Sequence, residues 1–562
     1  TVSTMAPPQV DVAVGKPSFT VESLREVMGA RGAIAAWKAA LALTKFDAMR
    51  AAALAEGDFA VGLTDREGRV FLAVDRFSIH TLCWRVVDDC LHYAERADTL
   101  AALQPRAEID PQAVYDYLYH HVIPSPRTIF KSVFRLPPAH CLWFENGQTT
   151  VRPYWVPHFC EQRSVNFAAM SVEFRQRIRN AVATQLDGTK PACFLSGGTD
   201  SSTVAGMIKY ITGVVATYSI GFEAKGYDEM TYARIAAKHF HTEHHEYYVT
   251  PNDLLLSIQK VAAHYDQPFG NSSVLPAYYC AKMAREDGVT KLLAGDGGDE
   301  LFGGNTRYAK QHAFGWYKSI PGPLRAGVLE PLLEKTPIGA LPLASKARSY
   351  LQQAKVPLPD RMQQYNLLRR LGVHRVFTPA FLARVCEAWP PRQEREVWQF
   401  VPGVTSDLNR MLVFDWRYTL AEADLPKVRG STSLANVAVG FPFLDQAVVD
   451  LSLALPSAYK LKGLKLRWFF KEALRGFLPD QILAKKKQGF GLPFGVWATR
   501  HAGLRAFATD SLHSLRARGI VQVGFIDTLL NDHLQSHPGY YGEMVWVLMM
   551  LEQWMQGQDR NV

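Results

Sequence analysis

Seven consecutive residues combine glycine, hydroxyl and carboxylate groups, in the order Ser196-Gly197-Gly198-Thr199-Asp200-Ser201-Ser202. They follow a short apolar run that ends at Leu195 and precede a helical pattern, which predicts a strand, a tight turn and a helix. Glycines let the backbone approach a ligand closely, and the N–H groups of the turn and the helix N-terminus form a site of partial positive charge. A phosphate or pyrophosphate is the expected ligand. The Walker pattern is excluded, because no Gly-Lys-Ser/Thr follows.

A second glycine-rich segment, residues 295–304, carries Asp296, Asp299 and Glu300 directly after the apolar run Leu292-Leu293-Ala294. Three carboxylates this close together repel one another unless a cation lies among them. Mg²⁺ prefers carboxylate, phosphate and water oxygens, so we expect Mg²⁺ near this segment. A solvated acidic turn is the alternative, and the apolar run and the first loop weigh against it.

Together, the two segments resemble the synthetase domain of the asparagine synthetase B family, whose PP-loop enzymes split ATP into AMP and pyrophosphate. Three further segments occur in the family order. Residues 218–222 are similar to the strand that holds adenine, residues 440–445 to the family's "R-V-P-F-L-D" segment, and residues 485–491 to its late basic loop. The resemblance therefore covers most of the chain.

The resemblance implies specific roles. ATP contacts are expected from Leu195, Ser196, Gly197, Gly198, Asp200, Ser201, Ser202, Ile220, Gly221 and Gly295. Mg²⁺ is assigned to Asp200 and Asp299, so ATP and Mg²⁺ are the expected cofactors. The expected catalytic residues are Lys487, which neutralises phosphate charge, and Asp296, which lies near the metal by family position and could instead accept a proton from the incoming amine.

The N-terminal third is similar to the second half of the family's class II glutaminase domain. Residues 57–63 and 70–74 alternate as strands do, and residues 135–140 resemble the family's "LPPGH" turn. Thr1 stands where the resemblance implies a nucleophilic cysteine, and an Ala-rich helical pattern over residues 23–55 replaces the segments that grip glutamine. We expect this domain to be structural and to release no ammonia.

The expected fold is α/β in two domains. Residues 1–160 are expected to form a degenerate Ntn-type αββα sandwich. Residues 170–562 are expected to form a doubly wound parallel-sheet PP-loop synthetase domain with added helices, in which both motif loops lie beyond the carboxyl ends of the strands. The residue patterns over 310–400 do not predict where particular helices or strands lie.

The acceptor segment departs from the family. Ala438 and Gly440 stand where asparagine synthetases carry an acid and an arginine, which disfavours aspartate as the substrate. In this respect the chain is similar to β-lactam synthetases and lasso peptide cyclases. We expect an AMP-forming amide ligase that joins a carboxylate to an amine of a small-molecule or peptide substrate. The alternative is an asparagine synthase-type amidotransferase that uses glutamine or ammonia. Two other hypotheses are a PP-loop protein that modifies tRNA or thiolates a substrate, and a non-catalytic scaffold.

The composition indicates which classes of partner and which cellular compartment to expect. Of 562 residues, 48% are apolar, which is enough for large cores, and 62 basic and 53 acidic residues are spread along the chain without a dense basic run, so no nucleic-acid partner is expected. Seven scattered cysteines predict reduced thiols in a cytoplasm. No run is apolar enough to span a membrane. The resemblance also allows a homodimer. His239, His241, His244 and His245 are interpreted as a helix-to-strand turn and not as a metal site.

Overall fold

The computed structural model describes residues 10–161, 165–318, 320–324, 350–401, 403–486, 489 and 491–559. Thr1 and Lys487 lie outside these residues, as do residues 319 and 325–349 of the unassigned segment 310–400. The strands of the described part are β1 (Val12–Phe19), β2 (Ala55–Thr64), β3 (Val70–Val74), β4 (Cys83–Val87), β5 (Cys90–Ala94), β6 (Phe134–Arg135), β7 (His140–Glu145), β8 (Gln148–Pro153), β9 (Ala192–Phe194), β10 (Ala216–Phe222), β11 (Glu243–Val249), β12 (Lys291–Leu293), β13 (Ala438–Gly440), β14 (Leu461–Lys462) and β15 (Lys465–Leu466).

Helices alternate with these strands. The α-helices of the described part are Glu22–Leu43, Ala48–Ala52, Ala97–Ala101, Pro111–His120, Phe167–Gln185, Thr199–Thr212, Met230–Phe240, Pro251–His264, Val274–Glu286, Gly298–Phe302, Thr306–Lys318, Gly322–Leu324, Leu367–Leu371, Val373–Val376, Pro379–Leu382, Trp389–Gln399, Asp407–Asp415, Leu425–Leu434, Gln446–Ala454, Ser457–Lys460, Trp468–Ala473, Asp480–Ala484, Phe494–Arg500, Ala502–Arg516, Val523–Thr528, Leu534–Ser536 and Pro538–Asp559. Short 3₁₀ segments cover Asp360–Gln363 and Pro442–Leu444, and wider π turns cover Trp416–Asp424 and Leu529–His533.

The N-terminal region has four layers. An antiparallel sheet in the order β1-β2-β3-β7-β8 faces a smaller sheet in the order β5-β4-β6 across a core that includes Leu72 and Tyr93. Helix Glu22–Leu43 covers the outer face of the larger sheet through Trp37. Helix Ala97–Ala101 contacts strands β4 and β5. This arrangement confirms the expected αββα sandwich.

Local predictions in this region hold with one omission. Strands β2 and β3 confirm the strands expected at residues 57–63 and 70–74, although residues 59–63 and 70–74 are all buried, because the sheet is covered on both faces. Two helices confirm most of the Ala-rich pattern, although Ala55 already begins β2. Strand β1, which pairs with β2 along its whole length, was not predicted. Gly15 and Pro17 interrupt its alternation, and Pro17 is tolerated because β1 lies at the edge of the sheet.

The second region is built on a parallel sheet in the order β11-β10-β9-β12-β13. Counted from its own first strand, this is the order 3-2-1-4-5 of a doubly wound sheet, which confirms the expected class. Helices Phe167–Gln185 and Thr199–Thr212 pack on one face, and Pro251–His264 and Val274–Glu286 on the other. The strand order reverses between β9 and β12, so the loops that follow these two strands open the crevice where ligands bind in such sheets.

The C-terminal helix Pro538–Asp559 is buried along its apolar centre, from Met544 to Leu551. In the described part of the chain, no helix is long and apolar enough to cross a membrane. All seven cysteines lie in that part and none forms a disulfide.

Candidate active site

Two connected cavities open at the carboxyl ends of β9, β10 and β12. The outer cavity measures about 800 Å³ and the inner cavity about 540 Å³. They share the walls Ser196, Asp200, Ser201, Glu229 and Asp299. The two motif loops, which lie about 100 residues apart in sequence, therefore border one continuous space, as expected for loops at the switch point of a doubly wound sheet.

The loop after β9 is held in shape by its own hydroxyl groups. The Ser196 N–H donates to Ser201 Oγ at 3.1 Å, and the Gly198 N–H donates to Ser196 Oγ at 3.3 Å. Gly197 has a φ of +70°, and a Cβ there would lie 2.4 Å from the backbone of Tyr232, so this position requires glycine. Helix Thr199–Thr212 begins directly after the turn, and its N-terminus faces the cavities.

The loop after β12 lies directly against the first loop. A Cβ on Gly295 would lie 2.8 Å from the backbone nitrogen of Ser201, and one on Gly298 would lie 2.5 Å from Asp200 Oδ1. A Cβ on Gly304 would lie 1.8 Å from Asp299 Oδ1. The glycines therefore allow the carboxylates of Asp200 and Asp299 to approach each other.

Arg467 lies between these two carboxylates and was missed by the sequence analysis. Its guanidinium pairs with Asp200, lies 3.0 Å from Asp299 Oδ1 and donates to Thr199 Oγ1 at 2.7 Å. Burial would lower the pKa of Arg467, but the two aspartates raise it above its ordinary value, so the group stays charged. Arg467 is the residue directly before helix Trp468–Ala473. Its own backbone has a left-handed conformation that nothing in the local sequence predicts.

The donor set of this cluster suits a divalent cation. Two carboxylates converge on a shared cationic group, and Asp296 and Glu300 lie in the same loop. Burial and the neighbouring Asp299 raise the pKa of Glu300 well above its ordinary value. Carboxylate oxygens are the hard ligands that Mg²⁺ prefers.

Asp296 lies deeper, on the wall of the inner cavity, beside a buried lysine. Lys427 Nζ lies 3.7 Å from Asp296 Oδ1 and donates to Asp424 Oδ1 at 2.9 Å. Burial raises the pKa of Asp296 to about 6, and Asp424 and Asp200 add to the shift while Lys427 opposes it. Burial would lower the pKa of Lys427, but Asp424 and Asp296 raise it, so this lysine is an ammonium. The sequence analysis missed Lys427 and Asp424, because neither lies in a glycine loop.

The other residues expected to bind ATP separate into two groups. Leu195, Ile220 and Gly295 line the inner cavity. Gly197, Ser202 and Gly221 are not among the cavity walls. Ser202 is fully buried, and its Oγ has no hydrogen-bond partner among the described residues. Gly221 makes room for the Tyr248 ring, which a Cβ would meet at 2.6 Å.

The late basic loop reaches the outer cavity through Lys485 and Lys486. Lys485 Nζ lies 2.9 Å from Glu229 Oε1 and over the ring of Tyr232. Lys487, the residue chosen from the sequence, lies outside the described residues, so its role stays a prediction.

A buried ion network ties the N-terminal region to the segment that ends at Asp424. Glu422 accepts hydrogen bonds from the N–H of Ser125 at 3.1 Å, from its hydroxyl at 2.6 Å, and from Arg135 at 2.5 Å. Arg417 donates to the same carboxylate. Burial opposes ionisation of Glu422, but Arg135 and Arg417 hold its pKa below the ordinary value. The network thus fixes the turn that carries Asp424 and leads to Lys427.

We expect Glu422→Gln to lower the free energy of unfolding by about 3–5 kcal/mol, because two buried guanidiniums lose the carboxylate between them. Chemical denaturation measures the change. The matched control is Glu472→Gln, whose carboxylate pairs with Arg475 at the surface and should contribute less than about 1 kcal/mol. Equal shifts for the two variants would contradict a structural role for the Glu422 network.

The structure also locates the acceptor segment, in which Ala438 and Gly440 depart from the family. Ala438 and Gly440 lie on strand β13 and are not among the cavity walls, and a Cβ on Gly440 would lie 2.0 Å from Gln185 Oε1. These two positions therefore line neither the outer nor the inner cavity.

The histidine-rich turn follows helix Met230–Phe240 and enters β11 as expected. Within the described residues, one group there could hold a metal: Glu243, His245 and Asp287. Lys190 Nζ already lies 3.2 Å from Glu243 and 2.7 Å from Asp287, which supplies the positive charge.

Comparison with known proteins matches both regions. A family model described as asparagine synthase matches residues 173–556, and one described as a glutamine amidotransferase domain matches residues 43–155. Glutamine-hydrolyzing asparagine synthetase 1 of Bacillus subtilis is 24% identical over 517 residues, covering 90% of this chain and 78% of that protein.

Two further relatives differ in how much they cover. The putative glutamine-hydrolyzing asparagine synthetase 2 of Methanocaldococcus jannaschii is 32% identical over 267 residues, covering 46% of this chain and 52% of its own length. The amidase chyE of Penicillium rubens is 27% identical over 525 residues, covering 84% of this chain and 74% of its own length.

Proposed function

The chain belongs to the asparagine synthase family, and we propose that it is an amide ligase that splits ATP into AMP and pyrophosphate without a glutaminase activity of its own. The main observation in support is that Asp200 and Asp299, from two separate glycine loops, face the same buried guanidinium at the carboxyl edge of the parallel sheet.

We also propose that the domain boundary lies between residues 160 and 170.

The reaction follows from the weakness of a carboxylate as an electrophile. A carboxylate oxygen of the substrate attacks the α-phosphorus of ATP, and the bond to the bridging oxygen breaks, so pyrophosphate departs and an acyl-adenylate remains. An amine then attacks the acyl carbon, AMP departs with the bonding electrons, and the amine loses one proton. The product is an amide.

The outer cavity suits the departing pyrophosphate. The N-terminus of helix Thr199–Thr212 lies at its wall beside the hydroxyl residues Ser196 and Ser201, and Arg467, Lys485 and Lys486 bring positive charge to its walls. Lys487 is proposed as a further phosphate contact on the strength of the family resemblance. Mg²⁺, held by Asp200 and Asp299, would supply the charge that neutralises the polyphosphate.

Asp296 is proposed to accept the proton of the attacking amine. It lies on the inner cavity wall, and burial raises its pKa to about 6, which places its titration near neutral pH. Lys427 and Asp424 hold its position.

We expect amide formation to rise with pH through about pH 6 and to level off above it. The base must be unprotonated to act, and Asp296 carries a proton below its pKa of about 6. Initial rates between pH 5 and 8 measure the profile, and Asp296→Asn should remove both the slope and most of the rate. A wild-type rate that stays constant down to pH 5 would contradict the assignment.

Two observations support a ligase that does not use glutamine. The glutamine amidotransferase match begins at residue 43, and the preceding described residues form strand β1 and helix Glu22–Leu43, whose Ala-rich sequence has no counterpart of the family's glutamine-gripping segments. The inner cavity wall carries Asp296 and Asp424 against one lysine, Lys427, a balance that attracts a positively charged amine.

The second candidate is an asparagine synthase-type amidotransferase. It is favoured by the Bacillus subtilis relative, whose name includes glutamine hydrolysis and whose match covers 90% of this chain.

The nucleotide product tests the proposed class. The purified protein is incubated with ATP labelled at the α-phosphate, Mg²⁺, aspartate and ammonium, and then with a pool of tripeptides that carry free amines and carboxylates. Labelled AMP formed in equal amount with pyrophosphate supports the proposal. Labelled ADP, or no cleavage with either acceptor set, would refute it.

A further inference from the structure

A side cavity of about 360 Å³ adjoins the inner cavity. The two cavities share Asn271 and Ser273, in the loop before helix Val274–Glu286. The two cavities are therefore neighbours, separated at this point by no more than the residues that line both. The volume of the side cavity is within the range of small-ligand sites.

Most of the other walls come from three chain segments far apart in sequence. They are the end of helix Pro111–His120 with the two residues after it, residues 491–495 and the N-terminal half of helix Pro538–Asp559. Glycines bring the last two segments together: a Cβ on Gly495 would lie 1.9 Å from the carbonyl oxygen of Pro538. Gly539 contributes to the open space, since a Cβ there would lie 3.0 Å from the hydroxyl of Tyr227.

The walls are polar, and their carboxylate, Glu543, is already paired. His121 Nδ1 lies 3.1 Å from Glu543 Oε1, and this pairing lowers the pKa of Glu543 although burial opposes it. Burial lowers the pKa of His120 to about 3, so this ring is neutral. Its side chain is 8% exposed, and its Nε2 has no hydrogen-bond partner among the described residues. An uncompensated polar atom of this kind is costly unless a ligand or water satisfies it.

We propose that the side cavity is a substrate subsite that binds an uncharged, amide-bearing part of the acceptor. Neutral donors and acceptors on the wall complement amide groups. The carboxylate of Glu543 is already paired with His121, so a free charged end would lose its hydration without gaining an unpaired opposite charge. Ammonia or a free amino acid would leave the subsite empty. The acceptor is therefore a peptide-like molecule that reaches from the inner cavity to His120.

This inference rests on the proposed ligase function, and the test separates the two. Gly539→Val fills the subsite, and Gly557→Val on the same helix, where a Cβ would meet nothing within 4 Å, is the matched control. Exchange of labelled pyrophosphate into ATP is measured with two probes: aspartate plus ammonium, and an equimolar pool of Ala-Xaa-Asp tripeptides. The shift in melting temperature with ATP and Mg²⁺ verifies that each variant folds and binds nucleotide.

The expected result is at least tenfold more exchange with the tripeptide pool than with aspartate plus ammonium in the wild type. Gly539→Val should lose at least tenfold of this exchange, and Gly557→Val should retain it. The inference is overturned if the pool is no better than aspartate, or if Gly539→Val exchanges normally. Exchange with aspartate alone would leave the ligase function standing while refuting the subsite, and no exchange with either probe would refute both.

Discussion

We expect Asp200→Asn and Asp299→Asn each to lower pyrophosphate release by about 10²–10³-fold, the usual cost of one lost electrostatic contact in a transition state. Asparagine keeps the shape of the side chain and removes its charge. Both carboxylates face the shared space of the two cavities, where the proposed reaction would develop negative charge on the departing pyrophosphate. Without either one, the proposed cation loses a ligand.

The matched control is Asp287→Asn. Its carboxylate also pairs with a cation, Lys190, but lies at the amino edge of the same sheet, before β12. This variant should release pyrophosphate at close to the wild-type rate. Near-normal release by Asp200→Asn or Asp299→Asn in a folded protein would remove these residues from the metal site.

The second large effect is expected at Arg467. Arg467→Met should lower pyrophosphate release by at least about 10²-fold, because a fixed positive charge beside the departing group is lost. It should also lower the melting temperature in EDTA, since removing one partner of a buried ion pair leaves uncompensated charge on Asp200 and Asp299. Added Mg²⁺ should restore part of that stability in the variant, because it supplies the missing positive charge.

Arg395→Met is the matched control for this prediction. Arg395 makes a two-pronged pair with Asp360, but it lies at the surface with half of its side chain exposed. Its loss should change the melting temperature little, with or without Mg²⁺. An Arg467→Met protein whose stability does not respond to Mg²⁺ would show that the two aspartates do not share a cation site.

The sequence predicted the parts of the site that depend on backbone chemistry. Glycine, hydroxyl and carboxylate residues after two apolar runs indicated two loops beyond parallel strands, and both loops border the cavities. The doubly wound order was also predictable, since strands alternate with helical patterns through this region. Strand β1 was not, because Gly15 and Pro17 break its alternation.

The residues that the sequence could not identify come from distant segments. Arg467 reaches the aspartates from a turn more than 160 residues after Asp299, and Lys427 reaches Asp296 from a helix. Each is an ordinary basic residue in its local sequence, and only the tertiary fold places it beside an acid. The same reason explains the side cavity, most of whose walls come from three remote segments.

The most direct test of the central claim is one product analysis in the presence of glutamine. The protein is incubated with ATP, Mg²⁺, glutamine and whichever acceptor set supports pyrophosphate release, and AMP, pyrophosphate and glutamate are quantified together. We predict equal amounts of AMP and pyrophosphate, with glutamate no higher than in the sample without protein. Glutamate formed in step with AMP would contradict the account and establish a glutamine-dependent amidotransferase.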